Sequence, residues 1–89
     1  MVSEKKLADM AGRLTVLRDD LWVAADEAEA AVADAAAAHD ADRAVAAARI
    51  SSDLWELASL AYRASERLER LANQVSEIRA RDEAEPIEE

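Results

Sequence analysis

A chain of 89 residues with one glycine, one proline, no cysteine and no phenylalanine has room for one small domain and cannot be a disulfide scaffold. Its net charge of −9 argues against direct binding to nucleic acid or to an anionic membrane, both of which call for a basic surface. No apolar run reaches the roughly 18 residues that span a bilayer, and the opening MVSEKKLADMAGR has no apolar core of a secretory signal, so a cytoplasmic protein is expected.

From Leu7 onward, positions 7, 10, 14, 17, 21, 24, 28, 31, 35 and 38 are Leu, Met, Leu, Leu, Leu and five alanines. This alternation of three and four is the seam of a coiled-coil helix. A second seam runs through Ala47, Ile50, Leu54, Leu57, Ala61, Ala64, Leu68, Leu71, Val75 and Ile78. Between them lies His39-Asp40-Ala41-Asp42, where Asp40 or Asp42 can cap a new helix. The expected fold is all-α: a helix over about 4–38, a turn at about 39–41 and a helix over about 41–81. Residues 1–81 would form the hairpin and 82–89 a disordered acidic tail. A break at Ser51-Ser52-Asp53 is the alternative, because Asp53 with Glu56 resembles a capping box. Folding the chain about His39 sets Leu21 against Leu57, Leu17 against Ala61, Leu14 against Ala64 and Met10 against Leu68. Large faces small at several levels, as close packing requires.

The triplet Asp-Leu-Trp occurs twice, ending in Trp22 and Trp55, the two tryptophans of the chain. Each follows a seam leucine, so both sit on one flank of the expected hairpin at nearly one height. Ala25, Val32, Ala58 and Tyr62 share that flank. A stripe wider than a strict seam marks a helix of a bundle of three or more. The sequence therefore predicts a homodimeric four-helix bundle with the indoles in its core, or a hetero-partner site anchored by them.

Charge is unevenly spread along the chain. Residues 19–57 hold ten acids against Arg43 and Arg49, whereas residues 1–18 with 58–82 hold nine bases against six acids. Two such rods prefer to pack antiparallel, turn against open end. The same distribution offers an alternative function: an acidic nucleic-acid mimic using Asp19, Asp20, Asp26 and Glu27.

Nothing in the sequence assembles a catalytic set or implies a cofactor. His39, the single histidine, falls at the turn with no nucleophile in reach. His39, Asp40 and Asp42 are too few and too loosely held for a metal. Arg63, Arg67 and Arg70 alternate with Glu66 and Glu69, as on a neutralised helix surface.

Three short likenesses can be placed. Asp40-Ala41-Asp42 between two heptad helices resembles the turn of the small RNA-binding Rop bundle, which implies a helical dimer and an RNA ligand. Asp53-Leu54-Trp55 is similar to part of the Glu-x-x-Asp motif of all-α nucleotide pyrophosphohydrolases, which implies magnesium-dependent hydrolysis; position 50 is Ile where that motif has Glu. Tyr62 with Glu66 resembles the Tyr-x-x-x-Glu pattern of secreted Trp-x-Gly hairpins. The reading that accounts for most of the chain is a non-enzymatic protein–protein interaction module: a small regulator, inhibitor or assembly factor. Its alanine, arginine and aspartate content suggests a bacterial or phage source.

Overall fold

The structure, a computed structural model, describes residues 2–84. It is an all-α antiparallel hairpin of two long helices, α1 (Glu4–Ala37) and α2 (Ala41–Ala84), with no strand among the described residues. Neither helix is long and apolar enough to cross a membrane. Ser3 caps α1, its hydroxyl accepting from the Lys6 N–H at 3.3 Å. The helix passes through Ser51-Ser52-Asp53 without a break. Ser51 is buried and its Oγ reaches the Ala25 carbonyl on α1 at 3.5 Å, so the serine serves the helix contact rather than a cap. Residues 82–84 are helical where a frayed tail is expected, and 85–89 lie outside the described residues.

The turn is a tight helix stop followed at once by a helix start. The His39 N–H donates to the Ala36 carbonyl at 3.0 Å and the Asp40 N–H to that of Ala35 at 2.9 Å, which satisfies the last carbonyls of α1. This pattern places the residue after the C-cap in the left-handed region, and His39 has φ 57°. Asp40, rather than Asp42, caps α2: its Oδ1 accepts from the Arg43 N–H at 3.1 Å. His39 thus has a backbone role. His39→Gly removes the Cβ penalty there and is expected to raise stability by about 0.5–1 kcal/mol, a rise in Tm of a few degrees by thermal circular dichroism. His39→Val, with a branched Cβ at positive φ, is expected to lower it.

Packing corrects one part of the sequence reading. Three adjacent rows of seven-residue spacing run along each helix, about 40–60° apart around its axis. The middle row (Leu7, Leu14 and Leu21 on α1; Leu54, Ala61 and Leu68 on α2) is buried or half-buried, as the seam requires. The second row in contact is not the one that carries Met10, Leu17, Ile50, Leu57, Leu71 and Ile78. Those six side chains are 43–55% exposed. The helices meet instead through small residues on the other side: Ala11, Ala25, Ser51, Ala58, Ser65 and Ala72, all buried. Small residues on both helices permit close backbone approach. Two hydroxyls use it: Ser51 as above, and Ser65, whose Oγ lies 3.2 Å from the Ala11 carbonyl and 3.0 Å from Thr15 Oγ1. The pairings of Leu21 with Leu57, Leu17 with Ala61 and Met10 with Leu68 therefore give way to a contact rotated toward the alanines. The height register is little changed, since Ala25 meets Ser51 and Ala11 meets Ser65.

Candidate interaction site: an aromatic cluster across the two helices

Trp22 on α1 and Trp55 on α2 hold the same position relative to their small-residue rows. In an antiparallel pair, like rows fall on the same side, and the two rings meet with centroids 6.2 Å apart at an interplanar angle of 48°. Arg18 lies one turn before Trp22. Its guanidinium carbon is 4.7 Å from the Trp22 ring centroid and 5.3 Å from that of Tyr62, so the cation bridges an aromatic ring on each helix. Arg18 occupies a level of the small-residue row where an aliphatic side chain would otherwise sit. Its stem leaves the seam and its head emerges over the rings, with the side chain 19% exposed. Asp19 Oδ1 accepts from Arg18 Nη2 at 2.9 Å and from Nε at 3.2 Å, fixing the guanidinium plane. On the other flank the Trp55 indole N–H donates to Glu29 Oε1 at 2.9 Å across the two helices.

The result is an ordered strip, Glu29–Trp55–Trp22–Arg18–Tyr62, that crosses both helices. Trp22, Trp55 and Tyr62 remain 40%, 37% and 45% exposed. The Trp55 indole N–H is held by Glu29, the rings are held by one another and by Arg18, and their faces are partly open, which is the arrangement of rigid anchors that bind with little loss of side-chain entropy. Asp19, Asp26 and Glu66 rim the strip, all exposed.

Of the other residues expected on this face, Ala25 and Ala58 are fully buried between the helices and present no surface to a partner. Val32 is half-buried nearer the turn. The acidic set is also divided. Asp19, Asp20, Asp26 and Glu27 are all exposed, but Asp19 and Asp26 rim the aromatic side while Asp20 and Glu27 lie about 100° further around the helix. Arg18 and Glu29 were not among the residues expected here. The signals for them are the four-residue spacing of Arg18 to Trp22, and Glu29 in the same row as Trp22, one heptad toward the turn.

Asp53 and Glu56 are exposed on one helix, and among the described residues no group of three His, Asp or Glu side chains is placed to share a metal ion. An open groove of about 320 Å³ at the open end is lined by Val2, Val75 and Ile78 with Arg79 and Asp82. It gathers no set of groups suited to proton transfer or nucleophilic attack. No family model, curated protein or solved structure matches this chain.

Proposed function

We propose that this protein is a non-enzymatic interaction module of the cytoplasm, a small regulator, inhibitor or assembly factor. In this reading the hairpin pairs with a second copy as a four-helix bundle and docks a different protein through the aromatic strip. One observation carries it: the hairpin leaves two separate apolar surfaces exposed on opposite sides. One is the row with Leu17 and Leu57; the other is Trp22, Trp55 and Tyr62. Two helices alone rarely bury enough surface to be stable, and a contiguous exposed apolar face marks an interface. The acidic rim of the strip favours a partner with basic residues around an apolar patch.

A second reading, the acidic nucleic-acid mimic, draws on the exposure of every acid in the turn half, among them Asp19, Asp20, Asp26, Glu27, Asp34 and Glu56. Affinity capture of a partner on the immobilised chain separates the two. With the aromatic strip as anchor, the double variant Trp22→Ala/Trp55→Ala loses the captured protein. Conversion of Asp19, Asp20, Asp26 and Glu27 to Asn or Gln keeps most of it. The mimic gives the reverse result, with capture falling steeply as salt rises.

A further inference from the structure

We infer that a second copy of this chain seats on the leucine face, not on the aromatic one, and that it does so antiparallel about a twofold axis passing beside Leu17 and Leu60. The inference deepens the proposed self-association by fixing its face, direction and register.

The rim of the leucine face supplies the argument. The row bordering it on α1 contains Lys6, Arg13, Asp20, Glu27 and Asp34; the corresponding row on α2 contains Asp53, Leu60, Arg67, Gln74 and Arg81. On both helices the sign of charge changes once along the rod, from basic at the open end to acidic toward the turn. On α1 it changes between Arg13 and Asp20, midway at 16–17. On α2 it changes between Arg67 and Asp53, midway at Leu60. The hairpin's own register, set by Ser65 on Ala11 and by the Trp22–Trp55 contact, brings residues 16–17 and residue 60 to the same level. One twofold axis at that level serves both helices. It stacks α1 on the partner's α1 and α2 on the partner's α2, with Lys6 opposite Glu27, Arg13 opposite Asp20 and Arg67 opposite Asp53.

The apolar row fits the same axis. Met10 falls beside the second copy's Ala24 and Leu57 beside its Ala64, large against small, while Leu17 meets its own counterpart. Leu60, 50% exposed in an otherwise polar row, then lies on the axis. The aromatic side lacks this pattern. Its bordering row on α1 sets Lys5 against Asp19 and Asp26, but the matching row on α2 reads Ser52, Ser59, Glu66 and Asn73, with no base to answer Glu66, so the two helices do not share one reversal of charge there. In the leucine-face dimer both aromatic strips point outward, on opposite sides of the bundle, and each is free to take a partner.

Two sets of variants test the register in a chain that has no cysteine of its own. Leu17→Cys and Leu60→Cys should each form a disulfide-linked dimer on mild oxidation, whereas Ser59→Cys, on the outer side of α2, should not. Asp53 and Arg67 lie 14 residues apart on one straight helix, about 21 Å, and cannot touch within a chain. Asp53→Arg and Arg67→Asp should each weaken self-association about tenfold or more, and the double swap should restore it to within about threefold. Intrinsic tryptophan emission should stay constant on dilution through dissociation. Failure of rescue, together with cross-linking at Trp22→Cys in place of Leu17→Cys and a red shift on dilution, would overturn the assignment of the face while leaving self-association intact. A monomer throughout, on the order of tens of micromolar by sedimentation equilibrium, would overturn both.

Discussion

Ala25→Leu should destabilise the hairpin markedly. Ala25 is fully buried, and the Ser51 hydroxyl donates to its carbonyl from the opposite helix at 3.5 Å. No room exists there for three more carbons and a branch unless α1 and α2 move apart, and moving apart breaks the contacts of Ala11, Ala58, Ser65 and Ala72 in the same row. Overpacking of this kind costs about 1–3 kcal/mol and sometimes more. A domain of this size holds on the order of 5–10 kcal/mol, so the loss is a large share of the whole. Thermal circular dichroism should show Tm falling by roughly 10–20 °C, or loss of the cooperative transition. Ala33→Leu, on the exposed outer face of α1, serves as the control and should be nearly neutral. A tolerated Ala25→Leu would mean that the helices meet through Met10, Leu17 and Leu57 and that the alanines face outward.

That contrast also marks what the sequence carries and what it hides. A seven-residue period is visible in adjacent rows, since Leu7, Leu14 and Leu21 repeat on one and Ala11, Ala25 and Val32 on the next, where Arg18 interrupts. The hairpin and its turn follow from this period and from the Asp40 cap. Which two adjacent rows meet inside the hairpin does not follow, since a heptad pattern is unchanged by a rotation of one row. Size then misleads. Leucine is expected in a core, yet in this two-helix contact small residues on both sides bring the backbones together, and Leu17, Leu57 and Leu71 are left exposed. The informative feature is that Ser51, Ala58, Ser65 and Ala72 are all small in one row of α2, opposite Ala11 and Ala25 on α1. Polar Ser51 and Ser65 obscure that row, since a serine reads as surface until a facing carbonyl is there to accept from it. The same rotation explains the aromatic residues. Trp22 and Trp55 come together because like rows of an antiparallel pair share a side whichever rows form the seam. Ala25 and Ala58, assigned to that flank with them, turn inward instead.

With this rotation the hairpin has a division of labour. Its alanine row and the inner faces of its indoles close the monomer, its leucine row suits the proposed second copy, and the outer faces of the aromatic strip lie away from that copy. In the proposed reading a partner at the strip and a second copy at the leucine face would not compete for surface, so the two associations should be separable by mutation.

Loss of capture in Trp22→Ala/Trp55→Ala identifies an anchor only if the hairpin survives the truncation, and the size of the structural effect can be set in advance. Each indole is about three-fifths buried. Removing one forfeits roughly 100–150 Å² of apolar burial, about 2.5–4 kcal/mol at ~25 cal/mol per Å², with a further ~0.5–1.5 kcal/mol for the ring pair. The Glu29 hydrogen bond is exposed and contributes little beyond this, and the half-buried Arg18 contact with Trp22 survives removal of Trp55. Trp55→Ala alone should therefore lower stability by about 3–5 kcal/mol and Tm by roughly 15–30 °C, with helicity retained well below the transition. Because the rings touch, the second truncation should cost less than the first. At low temperature, then, the double variant remains a hairpin. A hot-spot loss of about 2 kcal/mol or more per indole, some thirtyfold in Kd, should appear there with unchanged far-ultraviolet circular dichroism. If capture persists under those conditions and disappears only as the helices melt, the indoles brace the two helices and the partner binds elsewhere.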